Sequence, residues 1–169
     1  MTAPTFKELF RDCQRTAVHL ESRDAYTKSD PAFRDWQAGK SIEPAERWGP
    51  WLSIVSEAVS RGVEVRRARI VSTPVSEYIR FEYDVTAGLN IAAGENVRWL
   101  SRRNATSLLL PGNDFWVFDS TLVYVNHFDG EGEPTEPELT KDPEIVQLCG
   151  SAFEAVWKVA TPHADFEPY

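Results

Sequence analysis

The sequence predicts an α/β fold in which a mixed β-sheet is flanked by helices. Amphipathic helical patterns alternate with short strand patterns along most of the 169 residues, which is typical of α/β proteins. Residues 114–118 and 122–128 form two consecutive strand patterns joined by a three-residue turn, which predicts paired strands. The length suits one hydrophobic core, so we assign 1–169 to a single domain.

The N-terminal part contains two predicted helices around one predicted strand. A capping-box spacing opens a helix over 5–15, and residues 16–21 then alternate as a short strand does. An Asp-Pro dipeptide opens a second helix over 31–39, which ends at a glycine. If the chain has an internal boundary, it separates an N-terminal helical extension at 1–43 from an α/β core at 44–163.

The middle of the chain continues with a helix, a strand and an ambiguous segment. An apolar stripe predicts a helix over 44–61, and β-branched residues predict a strand over 63–71. The strand alternation slips at Arg66 and Arg67, which indicates a bulge. Residues 74–86 fit a strand or a helix, and the preceding Ser-Thr-Pro run favours a helix.

The C-terminal part contains the remaining strands and one long helix. A strand is predicted over 96–100, and a turn precedes the strand at 114–118. Residues 129–141 are acidic and rich in Gly and Pro, which predicts a surface loop. An Asp-Pro dipeptide opens the last helix, which a proline ends at position 162. Its predicted apolar stripe consists of Ile145, Leu148, Cys149, Ala152, Phe153, Val156 and Ala160.

Composition restricts the classes of partner. The chain has 26 acidic and 18 basic residues, a net charge of −8, so we expect it not to bind nucleic acid by itself. A basic protein suits this charge better. The two cysteines, Cys13 and Cys149, are interpreted as buried, reduced thiols. No signal-like or membrane-spanning apolar run is present in the sequence, and we expect a cytoplasmic protein that does not bind membranes.

Three arginines are candidates for a binding site. Arg69, Arg80 and Arg98 fall on or beside predicted elements of one α/β unit. The carboxylates predicted near them are Glu82, Glu95, Asp114 and Asp119. One interpretation is a network of structural ion pairs, since arginine is rarely buried without a partner. The other is a pocket for an anion or small ligand at the end of the sheet.

Aromatic and acidic residues suggest a surface for a partner protein. Trp48 and Trp51 flank a Gly-Pro and resemble deep core residues least among the six tryptophans, and aromatic side chains are common in interface hot spots. Asp129, Glu131 and Glu133 belong to the acidic loop and would attract a basic partner.

Catalytic and cofactor motifs are missing from the sequence. The three histidines, His19, His127 and His163, lack the spacing of zinc ligands. The sequence also contains neither a Gly-x-Ser-x-Gly motif nor a glycine-rich phosphate loop. We therefore expect no metal, no cofactor and no enzymatic activity.

Segments along nearly the whole chain resemble a family of uncharacterised actinobacterial proteins. The segments are HLE (19–21), RDAY (23–26), RARIVS (67–72), YIRFE (78–82), AGE (93–95), VRWL (97–100), PGNDFW (111–116) and SAFEAVW (151–157). Members of that family are often encoded beside helix-turn-helix regulators of the WhiJ type. The resemblance implies a regulatory role with such a partner.

Residues 51–163 also resemble one half of a phospholipase-D-like domain. A helix leads through Gly-Val-x-Val-Arg into a strand, and a later strand pair carries x-Phe-x-Val-x-Asp. Such enzymes use His-x-Lys-x4-Asp, in which histidine attacks phosphorus and lysine holds the phosphate. Aligning that motif on Asp119 places Gly112 at the histidine position and Asp114 at the lysine position. The resemblance thus implies the frame of a phosphodiesterase without its chemistry.

Three functions follow as hypotheses from the sequence. The first is a non-enzymatic regulatory or binding protein that acts with a helix-turn-helix regulator. The second is a small-molecule or anion sensor that uses the arginine cluster, and it is compatible with the first. The third is a phosphodiesterase-like hydrolase, which the missing His and Lys disfavour.

Overall fold

The strands within residues 3–169 form one seven-stranded β-sheet with helices on both faces. The structure is a computed structural model and describes residues 3–169. The strands are β1 (Thr16–Glu21), β2 (Glu64–Val71), β3 (Asn96–Ser101), β4 (Asp114–Phe118), β5 (Leu122–Asn126), β6 (Glu138–Thr140) and β7 (Thr161–Pro162). The helices are α1 (Phe6–Asp12), α2 (Pro31–Gln37), α3 (Pro44–Arg47), α4 (Gly49–Ser60), α5 (Glu77–Thr86) and α6 (Pro143–Val159). A π-helical turn at Ala87–Ile91 extends α5, and 3-10 turns lie at Arg102–Asn104 and His163–Asp165.

The strand order is β6-β5-β4-β1-β2-β3-β7. Strands β1, β2 and β3 are parallel neighbours, and the other pairings are antiparallel, so the sheet is mixed as predicted. β1 lies in the middle of the sheet between β2 and β4. Within the described residues, the segment set apart at 1–43 therefore supplies a central strand to the sheet as well as two helices.

The predicted helix over 44–61 is wrong as one continuous element. It divides into α3 and α4 at Trp48, whose φ of −129° is not helical. Pro50 has no N–H to donate to a carbonyl one turn earlier, so it opens a new helix rather than continuing the first. The helix favoured for 74–86 is confirmed as α5, and the Ser76 hydroxyl caps it by accepting from the Ile79 N–H.

The predicted bulge at Arg66 and Arg67 is also wrong. β2 pairs with β1 in unbroken register from Thr16↔Glu64 to Glu21↔Arg69. The apolar alternation is interrupted in the sequence because arginines project from both faces of this regular strand. Arg66 lies on the face that α6 covers, where it pairs with Glu154, and Arg67 lies on the other face.

The C-terminal part differs from the prediction in two places. The segment at 129–141 is not entirely loop, since β6 pairs along the edge of β5; three residues are too few to show a strand pattern. In α6, Ile145 and Leu148 are exposed and Val146 is buried, so the predicted stripe is wrong at its N-terminal end. The remainder of the stripe packs on the sheet.

The two faces of the sheet differ in composition. α6 covers one face with a continuous apolar cluster that includes Ile70, Phe115 and Phe153. The other face has two separate apolar clusters, one under α1 and α4 and one beside α5. Buried charged residues occupy the space between these two clusters, and this region holds the candidate site.

None of the helices within residues 3–169 combines the length and hydropathy that crossing a lipid bilayer requires.

Candidate ligand cleft

Two adjacent parallel strands place the buried charges side by side. His19 and Glu21 on β1, and Arg67 and Arg69 on β2, are all less than 9% exposed. Because side chains two residues apart point to the same face of a strand, each pair projects from one face. The register sets Glu21 opposite Arg69 and His19 opposite Arg67. The sheet itself therefore assembles the centre of the network.

Arg67 joins two buried carboxylates. Its Nη1 donates to Glu21 Oε1 at 2.8 Å, and its Nε donates to Glu95 Oε2 at 2.8 Å. Glu95 has a fully buried side chain and also accepts from Trp51 Nε1 and Asn90 Nδ2. The Arg67 guanidinium additionally lies 5.3 Å from the centre of the Trp116 ring, within cation–π range.

Arg69 completes the network towards α5. Its Nε donates to Glu21 Oε2 at 2.5 Å, and its Nη1 donates to the Thr86 hydroxyl at 2.7 Å. The nearest oxygen of Glu82 is 3.8 Å from the Arg69 Nε, too far for a hydrogen bond. Of the three glutamates that the two arginines approach, Glu21, Glu95 and Glu82, Glu82 is therefore the one they neutralise least.

The ionisation of the two central glutamates follows from these distances. Burial alone would raise the pKa of Glu21, but Arg69 and Arg67 outweigh it and hold that pKa well below its ordinary value. Burial raises the pKa of Glu82 to about 7, because Arg69 compensates only in part and the charge on Glu21 adds to the rise. A proton on Glu82 thus exchanges near neutral pH, whereas Glu21 stays ionised.

His19 and Asp114 extend the network across β1 and β4. The His19 Nδ1 lies 2.7 Å from the carbonyl oxygen of Phe115, and its Nε2 lies 3.2 Å from Glu21 Oε1. The His19 ring stacks on Trp116 with centroids 4.2 Å apart. Asp114 accepts from the Ser22 backbone and hydroxyl and from the Tyr26 hydroxyl, and burial raises its pKa.

An open cleft of about 330 Å³ lies over this network. Its floor is the sheet, and its walls come from α1, α4 and α5 with the π-helical turn. The polar lining residues are His19, Glu21, Asp30, Arg67, Arg69, Glu82, Asn90 and Asn126. The aromatic lining residues are Phe6, Trp48, Trp51, Tyr78, Phe81 and Trp116. A concave site with aromatic walls and a few converging polar groups is typical of small-ligand sites.

Three side-chain oxygens of the lining have no hydrogen-bond partner. They are Glu82 Oε2, Asn90 Oδ1 and Asn126 Oδ1, and all three are buried. Burying a polar atom without a partner costs about 1–3 kcal/mol, so native structures rarely keep several in one place. The residues that line the cleft therefore include three acceptors without a donor, each buried just behind the cleft surface.

The predicted site residues are only partly brought together. Arg69, Glu82 and Glu95 lie in the network as expected. The prediction that Arg80 and Arg98 join Arg69 is wrong. Arg80 is exposed on α5 near Tyr169, and Arg98 lies on the opposite sheet face, where its Nη1 donates to the Trp157 carbonyl. Arg98 was expected on the face of Arg69, but successive side chains of a strand point to opposite faces of the sheet. On β3, Trp99 therefore lies on the face of the cleft and Arg98 lies on the other face.

Asp119 has a structural position far from the cleft. Its carboxylate accepts from the backbone N–H groups of Gln14, Arg15 and Thr16 and thereby fixes the turn between α1 and β1. Asp119 and Ser120 have φ values of 52° and 56° and form the tight β4–β5 turn. Asp114 lies at the edge of the network, hydrogen-bonded to Tyr26.

The predicted partner residues divide between the cleft and the surface. Trp48 and Trp51 are half-buried in the walls of the cleft, and Trp51 packs edge-on against Phe6. Asp129 and Glu131 are exposed, with the Asp129 carboxylate accepting from the Glu131 N–H. The tryptophans are thus cleft residues, whereas the acids remain available at the surface.

Several functional candidates were missed at the level of sequence. Glu21, Arg67 and Asn90 belong to the network but were not singled out as site residues. A usable signal existed, since residues 19–21 and 67–69 each place polar side chains two apart on neighbouring predicted strands. Among residues 3–169, no group of three His, Cys, Asp or Glu side chains has an arrangement that holds a metal ion.

The fold and the cleft define a class of protein, an α/β domain with a phospholipase-D-like mixed sheet and a buried ionic network. The chain belongs to the family described as a domain of unknown function, DUF6879, whose model matches residues 4–168. No curated protein sequence matches the chain.

Two solved structures have a similar fold. One is Nuc, a phospholipase D family member from Salmonella typhimurium, with a TM-score of 0.53 and 10% identity over 93% of this chain and 87% of that chain. The other is TrmBL2, an archaeal chromatin protein with a novel mode of DNA binding, with a TM-score of 0.52 and 16% identity. That match covers 92% of this chain and 47% of TrmBL2, so the chain spans about half of that protein's length.

Proposed function

We propose that this protein is a non-enzymatic sensor domain that binds a small molecule in the cleft and acts with a DNA-binding regulator. The observation that carries the proposal is the set of three unpartnered oxygens, on Glu82, Asn90 and Asn126, in the lining of a cleft with aromatic walls. A purely structural ion-pair network has no need for unpaired acceptors beside an open cavity.

The proposed regulator partner is supported by resemblance, fold and charge. The segments shared with actinobacterial proteins encoded beside WhiJ-type regulators support a cytoplasmic helix-turn-helix partner. The similar fold of TrmBL2 is compatible with a place among DNA-associated proteins. The net charge of −8 favours contact with a basic protein over direct contact with DNA. The exposed acids Asp129 and Glu131 belong to the surface we assign to that contact.

A phosphodiesterase function is disfavoured by the roles of the aligned residues. Asp119 binds three backbone N–H groups, and Asp114 is hydrogen-bonded to Tyr26 and Ser22. Gly112 offers no nucleophile. We therefore expect no hydrolysis of a bis-phosphodiester model substrate. Activity that copurifies with the protein and disappears in Asp119→Ala would contradict this expectation.

Ligand binding is tested by thermal shift with a mixed library of anionic, neutral and cationic metabolites. A ligand that binds only the native state raises the melting temperature. Leu89→Trp places an indole in the cleft, and Leu148→Trp places one on an exposed site of α6. Both variants contain seven tryptophans, so they are matched. We expect stabilisation of the wild type and Leu148→Trp but not of Leu89→Trp. Equal shifts in all three proteins would refute binding in the cleft.

A further inference from the structure

The cleft and the residues behind it contain more acids than bases. The acids are Glu21, Asp30 and Glu82 in the lining, with Glu95 and Asp114 buried against it. The cations number at most three, namely Arg67, Arg69 and His19. Even with a protonated His19, the site has an excess of negative charge. Burial of such an excess is unfavourable, and a bound cation would relieve it.

The three unpartnered atoms of the lining are all hydrogen-bond acceptors. Glu82 Oε2, Asn90 Oδ1 and Asn126 Oδ1 are oxygens, and the Asn90 amide nitrogen is already used by Glu95. An ionised carboxylate and an amide oxygen accept hydrogen bonds and do not donate them. The missing partner must therefore carry N–H or O–H donors.

Most of the guanidinium N–H groups of the site are already bound to the protein's own side chains, and only Nη2 of Arg69 has no partner there. The Arg67 guanidinium binds Glu95 and Glu21, and Arg69 Nε and Nη1 bind Glu21 and Thr86. Any anion would compete with buried carboxylates that are already in contact at 2.5–2.8 Å. The protein's own acids thus take most of the arginine donors that the expected anion pocket would need.

The walls suit the apolar part of an organic cation. Trp51 and Trp116 already hold the Arg67 guanidinium over their rings at 5.9 and 5.3 Å. Trp48 and Phe81, whose rings lie 6.3 Å apart, add further aromatic surface to the lining. Aromatic faces attract cations through the ring quadrupole and bury hydrocarbon at the same time.

We propose that the cleft binds a small organic cation that carries N–H donors, an amine or a guanidine, with the unpartnered oxygen Oε2 of Glu82 as the partner of its cationic group. This inference rests on the proposed sensor function and specifies its ligand class. The ammonium or guanidinium lies beside Glu82, and the hydrocarbon part packs against the aromatic walls. A cavity of about 330 Å³ is at the small end for ligand sites, so the ligand is a compact molecule.

The test compares probes of one shape and three charges by isothermal titration calorimetry at pH 8.5, where Glu82 is ionised. The probes are 2-phenylethylamine, 2-phenylethanol and phenylacetate. We expect the amine to bind at least tenfold more tightly than the alcohol, with phenylacetate weakest. Trimethyl(2-phenylethyl)ammonium, which keeps the ring and the positive charge but has no N–H or O–H donor, is expected to bind more weakly than the amine.

Variants locate the binding. Glu82→Gln keeps the shape of the side chain but removes its charge, and we expect it to weaken amine binding about tenfold. Glu144→Gln is the control, since Glu144 is exposed at the start of α6. Leu89→Trp is expected to abolish binding, and Leu148→Trp to leave it unchanged. Circular dichroism and melting temperatures establish that each variant is folded.

The outcomes separate this inference from the function on which it rests. If phenylacetate binds more tightly than the amine and Leu89→Trp abolishes that binding, the cleft binds ligands but the cation assignment is wrong. If Glu82→Gln binds the amine as the wild type does, the assignment is equally wrong. If the library and the probes bind no better to the wild type than to Leu89→Trp, the sensor function itself fails.

Discussion

Arg67→Met removes the guanidinium that joins Glu21 to Glu95. Glu95 has no exposed side-chain surface, so the variant leaves a buried carboxylate with only the Trp51 and Asn90 donors. Breaking a buried ion pair from one side costs about 3–5 kcal/mol. For a chain of this length about 1 kcal/mol lowers the melting temperature by roughly 2–4 °C, so we expect a fall of about 10 °C.

A double-mutant cycle separates charge from packing in this measurement. Arg67→Met combined with Glu95→Gln removes the stranded charge, and we expect it to recover much of the lost stability. Arg80→Met is the matched control, because Arg80 is exposed and forms only a distant contact with the Tyr169 ring. We expect that control to stay within about 0.5 kcal/mol of the wild type.

The assay is chemical or thermal unfolding followed by circular dichroism at pH 7. A melting temperature of Arg67→Met within 2 °C of the wild type would refute the reasoning, since it would mean that Glu95 tolerates the loss of its partner. A double variant that is no more stable than Arg67→Met would show that lost packing, rather than the stranded charge, is the cause.

Three further predictions concern protonation and a turn. The pKa of Glu82 is about 7 in the folded state, above the ordinary value of 4.5, so the free energy of unfolding falls by at most about 3 kcal/mol as the pH rises from 4.5 to 7. Glu82→Gln should flatten that part of a plot of unfolding free energy against pH. An unchanged plot would contradict the prediction. Asp119→Ala should lower the free energy of unfolding by about 2 kcal/mol, because it removes the acceptor for the backbone N–H groups of Gln14 and Arg15. Asp119→Asn should lower it less, because Asn tolerates the positive φ of this residue. Equal losses of the two variants in denaturant titrations would argue against a contribution from the backbone conformation. Burial raises the pKa of Cys13 to about 11, so the native thiol should react with an aromatic disulfide reagent at pH 8 far more slowly than the unfolded thiol.

The elements with strong local signals were predictable from sequence. The capping box of Thr5 and Glu8, the Asp-Pro openings of α2 and α6, and the alternation of β1 all depend on neighbours within a few residues. The errors arose where a distant partner decides the structure. β6 is a strand only because β5 lies beside it, and α6 turns Val146 rather than Ile145 to the core because of how it lies on the sheet.

The site was less predictable than the fold, because its geometry depends on the register between strands. The sequence predicts a bulge at Arg66 and Arg67, because the apolar alternation of the strand slips there. In the structure the strand is regular there, because Glu21 and Glu95 neutralise Arg67 from β1 and from the residue before β3. Conversely, the sequence predicts that Arg98 and Arg69 lie together, but in the structure they lie on opposite faces of the sheet.

The position of the network explains how the fold accommodates so many buried charges. A sheet face that is apolar throughout would pack against one continuous helical layer, as the opposite face does under α6. Here the apolar surface is divided into one cluster containing Phe118 and another containing Trp99, and the helices over them leave a gap. Charges in that gap are partly desolvated but lie next to an opening. Electrostatic interactions are stronger in such a place than in bulk water, and there the arginines contact Glu21 and Glu95 at 2.8 Å but approach Glu82 only to 3.8 Å.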